Sequence, residues 1–291
     1  VMLLLGTVAS ALVFGALLVD FTPGRLVQVI QGAAVTTVAL NMVALWKQET
    51  RRPPRGAAAP LHPDFTTAWR AYIDGDRAVC HLVAVALGTM AFSMQDVLLE
   101  PYGGAVLQLP VSATTSLTAA LAIGSLFGFG LASRLLSRGG SAFMMTRGGA
   151  ALGIPAFLGV ICAAPLMSPP VFTAAIFAIG FAAGLFGHGT LTAAMGLAPP
   201  DQRGLALGTW GAVQATAAGL AVALGGVIRD VAAGLAARGS FGALGDGPAT
   251  AYIIVYCIEV ALLGATLLVL MPLTRTPTLQ EPSAKALRAG T

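Results

Sequence analysis

Long apolar runs recur along the chain, each close to the ~20 residues that a helix needs to cross ~30 Å of hydrocarbon, and polar connections separate them. They predict eight membrane-spanning helices, at residues 1–19, 26–46, 78–98, 111–133, 145–166, 171–195, 205–228 and 250–272. The runs are continuous and do not alternate apolar with polar residues, which excludes a transmembrane β-barrel. One connection is long. Residues 47–77, KQETRRPPRGAAAPLHPDFTTAWRAYIDGDR, are polar and proline-rich at first and aromatic later. They predict an extended linker followed by a short interfacial helix over Phe65–Ile73, with Trp69 and Tyr72 at headgroup level. The chain thus divides into two spans (1–46), a linker (47–77), a six-helix unit (78–274) and a tail (275–291).

Composition agrees with an all-α polytopic membrane protein, since 56% of the residues are hydrophobic and only 10% charged. Charge adds an orientation. Lys47, Arg51, Arg52, Arg55, Arg70, Arg77, Arg134, Arg138, Arg147, Arg203, Arg275, Lys285 and Arg288 fall on one set of connections; only Arg25, Arg229 and Arg238 fall on the other. Cytoplasmic loops retain positive charge, so the first side is expected to be cytoplasmic, with both termini there. The net charge of +4 then reflects topology and not a nucleic-acid surface. Val1 enters an apolar run at once, without the charged leader of a signal peptide, so the chain reads as N-terminally truncated.

Polar residues inside the spans are the candidates for function, because charge at membrane depth is costly. The segment GTMAFSMQDVLLEPYGG (88–104) carries Gln95, Asp96 and Glu100. A continuous helix there would stack Thr89, Ser93, Asp96 and Glu100 on one face. Asp96 is the better candidate for a buried role, while Glu100 is expected near the outer interface with EPYGG forming a turn that positions Tyr102. Glu259 lies near the middle of the last span and needs a partner or a proton; a hydrogen-bonded structural carboxyl and a coupling site both satisfy that. His188 sits between Gly187 and Gly189, where an imidazole either bonds a neighbouring helix or ligates a metal or metallated macrocycle. His81 is expected at the interface.

Small residues at helical spacing form Gly180, Gly184 and Gly187 in the sixth span and Gly204, Gly208, Gly211, Ala215 and Ala218 in the seventh. Such stripes let helices approach closely in lipid. Cys80, Cys162 and Cys257 are scattered and form no CxxC pair, so they suggest neither disulfide nor zinc site. No Walker A loop, GxSxG elbow, HExxH pair or dinucleotide fingerprint is present, and nothing in the sequence argues for an enzyme.

The segments MQDVLLEPYGG, HGTLTAAM and GLALGTWGAVQATAAGLAVALGGVIRD together resemble the PucC-type proteins of phototrophic bacteria, the bacteriochlorophyll-delivery branch of the major facilitator superfamily. The resemblance runs from the first span to the last. It implies a major facilitator-like fold of twelve spans in two six-helix bundles, of which about eight are present here: the last two of the N-terminal bundle and all six of the C-terminal one. The loop GLASRLLSRGG is similar to the superfamily's cytoplasmic Gly and Arg motif at Arg134 and Arg138, with Ser133 at its acidic position.

The function implied by the resemblance is assembly of light-harvesting complexes in a bacterial inner or intracytoplasmic membrane, without catalysis. Bacteriochlorophyll is the implied cofactor; antenna polypeptides, the pigment-synthesis machinery and the lipid bilayer are the implied partners. His188 is the first choice as axial ligand to the pigment magnesium, with Gln95 the second. Two alternatives remain: a proton-coupled transporter of a small solute using Asp96 or Glu259, and a membrane chaperone that binds no pigment.

Overall fold

The computed structural model describes residues 2–19, 22–45, 65–74, 76–199, 202–240, 247 and 249–275. The linker proper, residues 47–64, and the tail, residues 276–291, lie outside them. The described regular structure is helical throughout. Its helices are α1 (Met2–Leu17), α2 (Pro23–Leu45), α3 (Phe65–Ile73), α4 (Asp76–Ser93), α5 (Leu99–Ala105), α6 (Val111–Ser137), α7 (Ala142–Leu166), α8 (Pro169–Leu197), α9 (Arg203–Ala236) and α10 (Thr250–Arg275), with a 3₁₀ turn at Met94–Val97 between α4 and α5.

Seven of these helices are long and apolar enough to cross a membrane, counting α4 together with its 3₁₀ turn as one span. The first expected span is the exception, because α1 offers only a shorter apolar helix, Leu5–Leu17. The outward faces keep large apolar side chains, among them Phe127, Leu152, Leu158, Leu220, Val227 and Leu268. Water would not tolerate so continuous an apolar surface, whereas lipid does.

Helix ends follow local chemistry. Gly139, at φ 89°, ends α6, and the N–H of Gly140 reaches back to the carbonyl of Leu135. Only glycine adopts that conformation without strain. Pro169 and Pro170 open α8, where a missing N–H costs nothing. The N-terminus of α6 follows a bend in which Gln108 takes φ 53°.

The core of the six-helix unit is built on close backbone approach along α8. A Cβ at Gly124 or Gly128 of α6 would collide with the carbonyl oxygens of Phe177 and Phe181, and a Cβ at Gly180 or Gly184 of α8 would collide with those of Leu121 and Ser125. The two helices therefore interlock through four glycines. On its other side α8 meets α7, where Gly149 abuts the backbone of Ala182 and Phe186 and Gly189 abuts Thr146. In lipid, where the tails are as apolar as any leucine, the dispersion attraction of this close fit is what holds helices together. Outside the unit, α1 packs on α6, with Gly15 beside Ser112 and Ser116.

Helix α3 forms over the residues expected, and its Trp69 and Tyr72 side chains turn toward the protein. Tyr72 is buried among Ala78, Ala198 and Ala206, with Trp69 against it, so α3 closes the ends of α4, α8 and α9. Burial pushes the Tyr72 phenol above its ordinary pKa.

Candidate functional site

The third expected span is broken. After Ser93 the α-helix tightens into the 3₁₀ turn Met94–Val97 and resumes as α5, which runs through the EPYGG sequence expected to be a turn. Gly225 of α9 presses on the break, where a Cβ would stand 2.8 Å from the Met94 carbonyl oxygen. An interrupted helix at membrane depth is tolerated only inside protein or beside a cavity, and it is a common place for binding sites.

The break redistributes the expected polar stripe. Thr89 is buried and Ser93 half-buried, while Asp96 and Glu100 are exposed, so the four do not form one enclosed face. Glu100 accepts a hydrogen bond from the Thr118 hydroxyl at 3.2 Å. Gln95 turns inward at 1% exposure; its Nε2 donates to the Phe92 carbonyl at 3.3 Å, and its Oε1 has no partner. Asp96, expected to be the buried acid, is not. The enclosed carboxyl is Glu259, fully buried with neither oxygen hydrogen-bonded. The backbone of Gln95 and the carboxyl of Asp96, both in the 3₁₀ turn, are near enough to act on it electrostatically.

Below the break stands an aromatic cluster centred on Tyr102, itself fully buried. Its ring lies 5.0 Å from Phe172, 5.4 Å from Tyr252 and 5.7 Å from Tyr256, the two tyrosines edge-on. Its hydroxyl donates to the Val160 carbonyl at 3.1 Å. Tyr252 in turn accepts from Arg229 Nη2 at 2.8 Å, and Arg229 Nη1 bonds the Asp230 carboxylate at 2.7 Å. One cluster thereby ties α5, α7, α8, α9 and α10 together.

His188 occupies a different place, on α8 facing α6. Its ring packs on Phe129 with 4.2 Å between centroids, it is half-buried, and its Nδ1 has no hydrogen-bond partner. The adjacent Gly187 has open space where a side chain would be. The structure does not bring His188 and Gln95 into one site. His81, expected at the interface, is fully buried and edge-on to Phe143 at 6.0 Å. Among the described residues no group of three or more His, Cys, Asp or Glu side chains could hold a metal ion.

The expected packing stripes separate in the same way. Gly184 is sealed against Ser125, but Gly187, Gly204, Gly208 and Gly211 have nothing within 4 Å of their Cβ positions. Helix α9 instead buries Ala206, Thr209, Ala217, Ala221 and Gly225, a different face. It is rich in small residues all round, so spacing alone did not choose the face.

Residues 1–278 match the family model described as PUCC protein. The chain belongs to the PucC family. It is 52% identical over 221 residues to Protein PucC of Rhodovulum sulfidophilum, covering 75% of this chain and 49% of that one. It is 48% identical to Protein PucC of Rhodobacter capsulatus, over 94% of this chain and 59% of the relative. It is 46% identical, over its whole length and 61% of the relative, to a protein of Rhodobacter capsulatus described only as lying in the puhA-bchM intergenic region. The chain thus spans about half to three-fifths of the curated relatives it matches.

Among solved structures, the fold is similar to that of a bacterial homolog of the human lysosomal transporter Spinster, in an inward-facing and unoccupied conformation. The TM-score is 0.58 at 19% identity, covering 90% of this chain and 63% of that one. The PucC-family chain therefore has a major facilitator-like, all-α fold. Gly180 and Gly184 of α8 were singled out from the sequence, but the tyrosine cluster and the α6 glycines were not, although the Gly124–Gly128 spacing and the Tyr252, Tyr256, Glu259 periodicity of α10 are both visible there.

Proposed function

We propose that this PucC-family chain is part of a membrane assembly factor for bacterial light-harvesting antenna complexes that binds or delivers bacteriochlorophyll while antenna polypeptides are inserted. The observation that carries the reading is the family match over residues 1–278. The antenna polypeptides and the pigment-synthesis machinery are its partners, and both termini face the cytoplasm, as the distribution of basic residues favours.

The two candidate axial ligands differ in fit. His188 offers a half-buried imidazole against an aromatic wall at Phe129 with free space at Gly187, which suits a flat apolar macrocycle; its Nδ1 is enclosed, so Nε2 is the nitrogen that would face the magnesium. Gln95 is enclosed at 1% exposure inside the broken span, where no macrocycle reaches it. His188 is therefore the residue that would hold the pigment, supplying a neutral nitrogen to the magnesium, and Phe129 would orient the ring beside it. When bound, the pigment supplies its own light-absorbing chemistry; the protein contributes binding, orientation and shielding from water.

The test is an absorption spectrum of the full-length protein purified in mild detergent from a phototrophic host, beside a His188→Ala variant at equal expression. Bacteriochlorophyll is expected to copurify with the wild type and to fall by about ten-fold or more in the variant, the effect of losing ~1.4 kcal/mol or more of binding free energy. Equal pigment in both would remove His188 as the ligand. No pigment in either would overturn the delivery reading.

A further inference from the structure

The pigment reading leaves one buried titratable group without a role. Glu259 lies at 0% exposure, and no hydrogen bond reaches either of its oxygens. The groups that face it are few. From the 3₁₀ turn come Asp96 and the backbone of Gln95, and from its own helix comes the Tyr256 phenol, one turn away. Helix α7 carries no ionisable side chain between Arg147 and Cys162, and α9 carries none between Arg203 and Arg229. Those of α4 are confined to its first six residues, Asp76 to His81. Among the described residues no cation is therefore at hand to pair with an ionised carboxylate, and burying that charge unpaired costs several kcal/mol. The stable form there is the neutral acid, which holds a proton.

Two phenols share a helix face with that carboxyl. Tyr252, Tyr256 and Glu259 recur at i, i+4 and i+7, which puts them on one face of α10, and all three are at most 2% exposed. Tyr102 lies edge-on to both phenol rings. The Tyr256 hydroxyl is buried and hydrogen-bonds neither Tyr252 nor Glu259, and the Tyr252 hydroxyl accepts from Arg229. Arg229 reaches Asp230, whose side chain is 71% exposed. The two phenols thus lie between Glu259 and the Arg229–Asp230 pair; the guanidinium stays protonated and holds the Tyr252 hydroxyl in place without itself relaying a proton.

We propose that Glu259 is a proton-binding site, filled and emptied through Tyr256 and Tyr252 from the Arg229–Asp230 end of the bundle. Each phenol gives its proton onward as it receives another, so nothing but the proton moves and no oxidant or further reactant is needed. Asp96, in the neighbouring 3₁₀ turn with its side chain exposed, is the charged group that would sense whether Glu259 is loaded.

Infrared spectroscopy of the purified protein in detergent tests this directly. The wild type should show the carbonyl band of a protonated carboxyl, which Glu259→Gln removes, Glu259→Asp shifts and Asp96→Asn leaves in place. Transfer to D₂O should shift the band, and Tyr256→Phe should slow that shift about ten-fold without reducing the band. Identical spectra for wild type and Glu259→Gln would overturn the proposal, as would a band that never exchanges. Exchange as fast in Tyr256→Phe as in the wild type would overturn the tyrosine route. Loss of the band on adding sodium at constant pH would assign the site to a metal cation instead. If Glu259→Gln does not fold, the Glu259→Asp shift and the Tyr256→Phe rate still decide.

Discussion

Gly128→Leu should abolish or severely destabilise the folded bundle, while Gly208→Leu in the same 291-residue chain should leave its stability within about 0.5 kcal/mol. The two glycines look alike in sequence, each within a small-residue repeat of an apolar helix. In the structure a Cβ at Gly128 would run into the Phe181 carbonyl, with the backbone nitrogen of Leu185 just behind, whereas nothing stands within 4 Å at Gly208. A side chain that meets flexible groups can be absorbed by rotation; one that meets backbone can be accommodated only by moving helices apart. That separation would also pull apart the close approaches at Gly124, Gly180 and Gly184. Overpacking a well-packed core costs about 1–3 kcal/mol and occasionally more, and a backbone clash belongs at the upper end. A loss of about 3 kcal/mol corresponds to roughly 6–12 °C in melting temperature for a domain of this size. Thermal denaturation in detergent, followed by size-exclusion chromatography, reads both variants. Equal melting of Gly128→Leu and wild type would mean that α6 and α8 are not in backbone contact.

Replacement of Tyr102 by alanine should produce the second large effect, a loss of roughly 2–4 kcal/mol, with Tyr102→Phe costing only about 1 kcal/mol. The transfer part of a usual large-to-small penalty is largely absent in a bilayer, since lipid is as apolar as the core. What remains is the void and the dispersion attraction that the atoms lining it forfeit. That attraction is large, because Tyr102 is fully buried and packs against Phe172, Tyr252 and Tyr256 at 5.0–5.7 Å between centroids. The phenylalanine variant keeps the ring and removes only the hydrogen bond to Val160. Melting curves of the two variants should therefore separate by several degrees. Coincident curves would show that the hydroxyl, and not the ring, carries the contribution.

Much of the topology was legible because a bilayer imposes a coarse rule: apolar runs of a fixed length become helices. That rule placed the spans that became α2, α4 and α6 to α10 within a few residues in most cases, although α9 continues eight residues past its expected end. The first expected span shows, among the described residues, as the shorter apolar helix Leu5–Leu17 within α1. The expected turn at EPYGG is not formed. Gly103 and Gly104 suggest a turn by composition, but Gly103 is packed against Leu117, Thr114 and Leu109, and the helix continues through it. The burial of Tyr72 was not legible either, because its cluster is completed by the ends of α8 and α9, far away in sequence.

The candidate site was legible as a set of residue types and not as an arrangement. Gln95, Asp96, Glu100, His188 and Glu259 were recognisable as polar groups in apolar surroundings. Periodicity assumed a continuous helix through Asp96, and the 3₁₀ turn at Met94–Val97 rotated the later residues out of that register. One turn of altered geometry exchanged the roles, leaving Asp96 exposed, Gln95 enclosed and Glu259 the acid without a partner.

By itself the sequence determined the solvent, the helical class, most of the span positions and the family, because these depend on local hydropathy and on short motifs that need no partner. Only the tertiary structure decided which glycines meet a neighbouring helix, which acid is enclosed and which aromatics form one cluster. Those properties belong to pairs of helices: a helix rich in small residues on every side can be packed by any of them, and the neighbour that arrives selects the face.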